Sequence, residues 1–374
     1  MTTNNITENQ LSDLVSKFSI DADIASIKPF GSGHINDTYR IFNADAEEHD
    51  YLLQRINHYV FKNVPLLMSN LVHVTDHLKQ RLSSLPKDEI EKMVLTVIAT
   101  KEHYPYYKDE NGNYWRMFYF QKGTKSYDQV TTAKQAFEGG KAFGTFQAML
   151  SDLDVSKVKD TIPNFHNIEY RLNNLRNAIR ADKLNRVQYV SDEIAFIGRR
   201  SGDMGEIMRL GNAGMLPLRI VHNDTKFNNV LLDGEDKGQC VIDLDTVMPG
   251  YVAYDFGDSI RTIINTATED EADTDMISLN IPLFEAYTQG YLQAAASFIT
   301  EQEINSLIKG VLLLPYIQAV RFLTDYLEGD VYFKIHFSDH NPQRARAQLT
   351  LVKRLEIAKE RLEEIIINNW NKAK

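Results

Sequence analysis

His222-Asn223-Asp224-Thr225-Lys226-Phe227-Asn228-Asn229, with Val241-Ile242-Asp243-Leu244-Asp245 after one short turn, is the stretch on which the reading of this chain rests. Val230-Leu231-Leu232 and Cys240-Val241-Ile242 are apolar runs of strand type, and Asp233 to Gly238 between them is turn material. Together they predict a β-hairpin. Folded symmetrically about Glu235 and Asp236, it sets Asn229 opposite Ile242 and Asp243 opposite Asn228. Cross-strand and diagonal neighbours lie within about 5–8 Å. The Asn229 amide oxygen and the Asp243 carboxylate then reach a shared cation. Mg²⁺ suits such a pair, because it wants hard oxygens and takes one or two from protein, the rest from phosphate and water.

His222-x-Asp224, then Asn229, then Asp243 on the next strand is the spacing of a kinase catalytic loop. It implies transfer of the γ-phosphoryl group of ATP. Asp224 lies upstream on the loop, where a base or orienting group for the acceptor hydroxyl belongs. An Asp and an Asn at this spacing are common by chance in polar loops. The preceding His, the hairpin length and a second Asp on an apolar strand are much rarer together.

Upstream, the order is a short helix over 8–18, strands over Ile24 to Phe30, Thr38 to Phe42 and Tyr51 to Ile56, and a helix over Asn63 to Leu82. Strands over Val94 to Ile98 and Tyr114 to Phe120 follow. This predicts a five-stranded antiparallel sheet with one helix, residues 1–121, forming the smaller lobe of an α+β, bilobal protein-kinase-like fold. Gln121-Lys122-Gly123-Thr124 is the expected hinge. Residues 122–374 read as a larger, mostly helical lobe, with helices over Lys134 to Met149, 168–200, 203–210, 281–298, 302–328 and 341–370.

The net charge of −10 argues against nucleic acid or an anionic membrane as the main partner. The single cysteine, Cys240, excludes an internal disulfide and reads as a packed thiol. The polar N-terminus shows no signal peptide, and no uncharged run approaches a membrane span. A cytoplasmic monomer is the expectation.

On the nucleotide side, Gly31-Ser32-Gly33 joins two strands and offers backbone amides to phosphate, with His34 and Asn36 at the loop tip. The third strand lacks the lysine of protein kinases and offers Gln54 or Arg55 on opposite faces. Arg55 is favoured as the only charge, with Asp76 as its helix partner. Adenine is expected against the main chain of Phe118, Tyr119, Phe120 and Gln121.

These residues resemble the aminoglycoside phosphotransferase/choline kinase superfamily, and within it the N-acetylhexosamine 1-kinases. The resemblance is carried by Leu216 to Asn229, by Cys240 to Gly250, by Ala253-Tyr254-Asp255-Phe256-Gly257-Asp258 and by Arg321 to Lys334. It spans most of the chain, and the catalytic and Arg321 to Lys334 stretches are its specific parts. It implies ATP- and Mg²⁺-dependent phosphorylation of the anomeric hydroxyl of N-acetylglucosamine or N-acetylgalactosamine. Asp224 matches the catalytic Asp, and Asn229 and Asp243 the metal ligands. Lys226 would neutralise charge on the transferring phosphoryl group. Asp245 would bind metal or hold the loop through hydrogen bonds.

Sugar recognition is implied at Arg321 and Tyr332, with Asp325 beside them, and His34 is a further candidate if the lobes close. Periodicity alone would make Arg321 and Asp325, at i and i+4, a surface ion pair of little worth. The acidic run Glu269 to Asp275 reads as solvated surface. Choline, homoserine, methylthioribose or an aminoglycoside is the rival acceptor class. A nucleotide-binding scaffold without activity is the rival of a different kind, kept open by the missing strand lysine.

Overall fold

The computed structural model describes residues 6–31 and 35–374. Ser32, Gly33 and His34 lie outside the described residues. Helix α1 (Glu8–Val15) starts at a capping box, in which the Thr7 and Gln10 side chains satisfy each other's backbone amides. Strands β1 (Ile24–Pro29), β2 (Asp37–Asn43) and β3 (Tyr51–Ile56) follow, then helices α2 (Val64–Arg81) and α3 (Lys87–Met93). Strands β4 (Val97–Ile98), β5 (Tyr107–Lys108) and β6 (Tyr114–Tyr119) complete the lobe. The sheet is antiparallel in the order β1-β2-β3-β6-β4, with β5 also on β6. Six strands stand where five were expected. The fourth is cut to two residues because α3 occupies its approach and Val94 and Leu95 turn into the core.

The two faces of this sheet do different things, because side chains alternate along a strand. Leu53, Trp115 and Met117 pack under α1 with Leu11, Leu14 and Phe18. The opposite face carries Ile56 and Phe118, which pack with α2 and with Ile220, Cys240 and Leu244 of the larger lobe. Gln54 pairs with Arg116 in register and Arg55 with Trp115. Gln54 and Arg116 therefore lie on the face toward the larger lobe, and Arg55 on the α1 face.

The larger lobe contains α4 (Ala133–Leu150), α5 (Ile168–Ala181), α6 (Ser191–Arg200), α7 (Glu206–Asn212), strands β7 (Arg219–Val221), β8 (Val230–Leu232), β9 (Gly238–Val241) and β10 (Met248–Gly250), and helices α8 (Val252–Ile263), α9 (Ile281–Ala295), α10 (Glu301–Glu328) and α11 (His340–Ala373). The helix expected over 168–200 is two helices. Asp182 takes a left-handed conformation (φ 32°) that ends α5, and a 3₁₀ turn at Val187–Tyr189 leads into α6. Helix α10 has the length and mean apolarity of a membrane-crossing helix, although Lys309 and Arg321 interrupt it, so no uncharged run approaches a span. Its surface is spent inside the lobe, where Val311, Leu314, Ile317 and Phe322 join cores shared with α5, α8 and α11.

Candidate active site

Beside Asn229 the hairpin folds in the register read from the sequence, and it shifts by one residue toward the turn, where Leu232 pairs with Gly238. Val230 pairs with Val241 and Leu231 with Cys240, and the Ile242 amide donates to the Asn229 carbonyl at 2.9 Å. The strand stops at Val241, however. Asp243 adopts a left-handed backbone (φ 59°) and opens a 3₁₀ turn over Leu244–Thr246. Asp243 and Asp245 therefore do not share a strand face. Asn223, just before Asp224, is also left-handed (φ 66°). Such backbone in non-glycine residues costs of the order of 1–3 kcal/mol and persists only where the surroundings impose it.

The surroundings are polar and mostly buried. Asp255, at the start of α8, accepts the main-chain amides of His222 (2.8 Å) and Asn223 (2.7 Å) and the Gln147 amide (2.7 Å). His222 donates through Nε2 to the Ile242 carbonyl (2.9 Å), while its Nδ1 faces the Asp224 amide at 3.3 Å. One imidazole thus spans from the Asp224 loop to the residue before Asp243. Asn229 donates Nδ2 to the Asp224 carbonyl (2.8 Å), which leaves its side-chain oxygen as a donor for a cation. Burial, then the neighbouring Asp245 and Asp224, pushes the Asp243 carboxyl up to about 6. A divalent cation would relieve that crowding, so the oxygen set fits Mg²⁺.

Asp224 sits 3.3 Å from the Lys226 ammonium. Burial would raise its carboxyl, but Lys226, His222 and Arg261 together hold it below the usual range. Asp224 in turn raises Lys226. Behind them, Arg261 contacts Asp258 at 3.1 Å and Glu269 at 2.6 Å. Glu269 reaches Arg261 from the exposed run expected of residues 269–275, and Asp270 meets His340 Nε2 at 3.2 Å. The remaining Asp258 oxygen is buried without a partner among the described residues. Burial raises the Asp258 carboxyl, with Asp224 adding to the effect.

Arg55 does not enter this group. Its guanidinium binds Asp37 on the neighbouring strand, with Nε at 2.7 Å, on the face away from the larger lobe. Asp76 is exposed on α2, so the expected Arg55–Asp76 pair does not form. The cation on the inner face is Arg116, which sequence reading missed. It forms a bidentate pair with Asp245 (Nη2 to Oδ2, 2.9 Å) and donates Nε to Gln54 (3.0 Å). Both partners are 2% exposed. Asn36, from the loop after Gly31, donates to the same Asp245 at 2.9 Å. Asp245 is thus held by Arg116 and Asn36. Gly31 has φ 78°, a value that favours glycine.

At the hinge, the Tyr119 amide donates to the Thr96 carbonyl (3.2 Å) and the Phe120 amide to Asp50 (2.8 Å). Phe118 is buried within the sheet. The Gln121 amide has no acceptor among the described residues, while its side chain donates to the Glu91 carbonyl at 2.8 Å. Of the four residues expected to read adenine through main-chain groups, Gln121 is the one beyond the strand whose amide has no acceptor among the described residues.

On the other side of Asp224, His166 touches the Asn223 carbonyl through Nε2 (3.0 Å) and packs against Tyr254. Its neighbour Phe165 receives Arg171 on its carbonyl (Nη2, 3.0 Å) and Arg321 over its ring, 5.5 Å from the centroid. Arg321 also reaches the Tyr332 hydroxyl (3.4 Å) and the Phe333 ring (5.3 Å). Arg321 and Tyr332 are brought together, then, with Phe165, His166 and Arg171, which no sequence motif marked. Asp325 is buried and accepts the amides of Val331, Tyr332 and Phe333, so it shapes the turn instead of pairing with Arg321.

Residues 26–296 match the model of the phosphotransferase enzyme family, which is most of the chain. The chain belongs to that family. Its fold is shared with an aminoglycoside phosphotransferase from Alicyclobacillus acidocaldarius (13% identity, TM-score 0.60, covering 94% of this chain and 96% of that one). A microcompartment-associated aminopropanol kinase is similar at 13% identity and TM-score 0.61, covering 95% and 98%. A choline kinase from Cryptosporidium parvum matches at 14% and 0.57, covering 92% of each. The antiparallel smaller lobe and helical larger lobe are those of this protein-kinase-like fold, and the chemistry of the family is phosphoryl transfer to small molecules.

Proposed function

We propose that the protein phosphorylates the anomeric hydroxyl of an N-acetylhexosamine, N-acetylglucosamine or N-acetylgalactosamine, with ATP as donor, releasing the sugar 1-phosphate and ADP. One observation carries the choice of acceptor. The wall beyond Asp224 is built from Arg171, Arg321, Tyr332, Phe165 and Phe333, while the carboxylates Asp258 and Glu269 are taken up by Arg261. Choline and aminoglycosides are cations and want an acidic pocket. Guanidinium donors and aromatic faces suit the carbonyl, hydroxyls and ring of an acetamido sugar.

The anomeric hydroxyl is more acidic than an ordinary alcohol. In a loose transition state Asp224 mainly aims its oxygen at the γ-phosphorus and accepts the proton late. The new bond joins that oxygen to the γ-phosphorus as the bond to the β,γ-bridging oxygen breaks. Lys226 offsets charge on the moving phosphoryl group. Asn229 and Asp243 would hold Mg²⁺, whose chemistry here is to screen the phosphate charge. Gly31 to Gly33 would approach the phosphates, the Gln121 amide would read adenine, and His34 would cover the sugar.

A coupled ADP-release assay over a panel of acceptors tests this reading. Turnover is expected with the N-acetylhexosamines, and Asp224→Asn should lower kcat by about 10²–10⁴-fold. Turnover of choline, homoserine, methylthioribose or an aminoglycoside without any hexosamine would overturn the acceptor. No turnover with any of them, alongside nucleotide binding, would favour the scaffold reading.

A further inference from the structure

The guanidiniums of Arg171 and Arg321 lie on one wall of the acceptor side, and neither meets a carboxylate among the described residues. Arg171 spends Nε and Nη2 on the Phe165 carbonyl (3.3 and 3.0 Å). Arg321 gives Nη1 to Gln318 (2.8 Å) and Nη2 to the Tyr332 hydroxyl (3.4 Å). These are neutral acceptors. Elsewhere in the lobe Arg186 is matched with Asp330, Arg219 with Glu303 and Arg261 with Asp258, while half-buried Arg344 donates to the Lys334 carbonyl.

The unmatched pair is tied to the reacting centre. Phe165 binds both arginines, His166 follows it, and His166 touches the carbonyl of the residue before Asp224. Burial, then the nearby Arg321, pulls the Arg171 guanidinium down to about 10. Two cations held together without an acid mutually repel, and an anion between them removes that cost. Guanidinium forks favour oxyanions for their planar donor geometry.

Resting on the anomeric-kinase reading, we propose that the acceptor range extends to N-acetylhexosamines that carry an oxyanion, a carboxylate or a phosphate, recognised by Arg171 and Arg321, with the C6 derivatives as probes. The transfer balances as for the neutral sugar. The anomeric oxygen bonds to the γ-phosphorus, the bond to the bridging oxygen breaks and ADP leaves, with the anomeric proton passing to Asp224. The oxyanion takes no part in the bond changes.

Three acceptors are compared in the ADP-release assay with the full chain: N-acetylglucosamine, its 6-carboxylate and its 6-phosphate. The same three are titrated calorimetrically into Asp224→Asn protein. At least one anionic sugar should show a kcat/KM above that of the neutral sugar, or bind more tightly. Whichever does so says whether carboxylate or phosphate is the group read. That advantage should fall about tenfold in Arg171→Gln, and in Arg321→Gln should the first variant not fold by its melting curve. It should also shrink in high salt.

The proposal is overturned if the neutral sugar is turned over while neither anionic sugar exceeds it in kcat/KM or binds more tightly. It is also overturned if both arginine variants keep the preference intact; the anomeric-kinase reading stands in either case. If no hexosamine binds or reacts, that reading falls and takes the proposal with it.

Discussion

His166 is the residue whose state follows most directly from its position. Its Nε2 meets the Asn223 carbonyl and its Nδ1 is buried without a partner among the described residues, so a charged ring would gain little there. Burial pulls it down to about 3, against an ordinary value near 6.5. The sign of the linkage is set by the unfolded chain. Below about pH 6.5 that chain takes up a proton which the folded protein refuses. The stability His166 contributes is therefore complete above pH 6.5 and is lost as pH falls toward 3, by up to about 1.4 kcal/mol per pH unit. Urea unfolding of wild type and His166→Gln at pH 7.5 and pH 5 measures this. The variant should lose less stability over that interval, by about one bound proton. Equal slopes would mean that the ring titrates normally in place. Nothing in the sequence pointed to His166 or Arg171. Both stand in or after a polar connection, and only the packing of Phe165 gathers them beside Arg321.

Among the elements, α8 explains why the stretch Asp255-Phe256-Gly257-Asp258 has its glycine. A Cβ on Gly257 would stand 2.3 Å from the Gly310 carbonyl oxygen of α10, so the two helices touch backbone to backbone. That close crossing sets Asp255 under the His222 and Asn223 amides and Asp258 beside Arg261. Gly257→Ala should cost about 1–3 kcal/mol or more through forced separation, and kcat should fall with it as the Asp224 loop loses its support. Melting temperature and steady-state rates on the same preparation check this. A stable, fully active variant would show that the crossing is adjustable. Element by element, the sequence was readable where periodicity is strong. The hairpin register at Val230–Val241 and Leu231–Cys240 came out of two apolar runs, the shift to Leu232–Gly238 near the turn did not, and the long helices came out of their 3.6-residue stripes. Helix α3 was hidden because Lys87 to Lys92 is too charged to show an apolar stripe. The break at Asp182 was hidden because an aspartate tolerates a left-handed backbone without any marker in the pattern. Arg116 stood among aromatics on a strand, and its partner Asp245 is 129 residues away, a distance at which no local pattern speaks.

For the whole molecule, the contact between Arg116 and Asp245 is a buried strut between lobes, beside the polar contacts of His77 with Asp152 and Asn70 with Lys159. Strands β3 and β6 reach it through Gln54 and Arg116, the loop after Gly31 through Asn36, and the hairpin end through Asp245. Asp243, two residues earlier, takes its position from the same segment. A buried ion pair is weak evidence of net stability, since desolvation offsets its attraction, but breaking one leaves an unpaired buried charge at about 3–5 kcal/mol. Asp245→Asn should therefore lower stability by that order and raise KM for Mg·ATP, because Arg116 is stranded and the Asp243 turn loses its anchor. The double replacement Arg116→Met with Asp245→Leu removes both charges and should recover much of the stability. It should not recover KM, since the geometry that aligned Asn36, Gln54 and the metal-side turn is gone. Melting curves and ATP saturation kinetics on the two variants separate these effects. A double variant as unstable as the single one would point to packing rather than charge. Unchanged KM in both would mean that the lobes find their alignment through the hinge at Gln121 to Thr124, the apolar core that holds Phe118 and Leu244, and the contacts of His77 with Asp152 and Asn70 with Lys159.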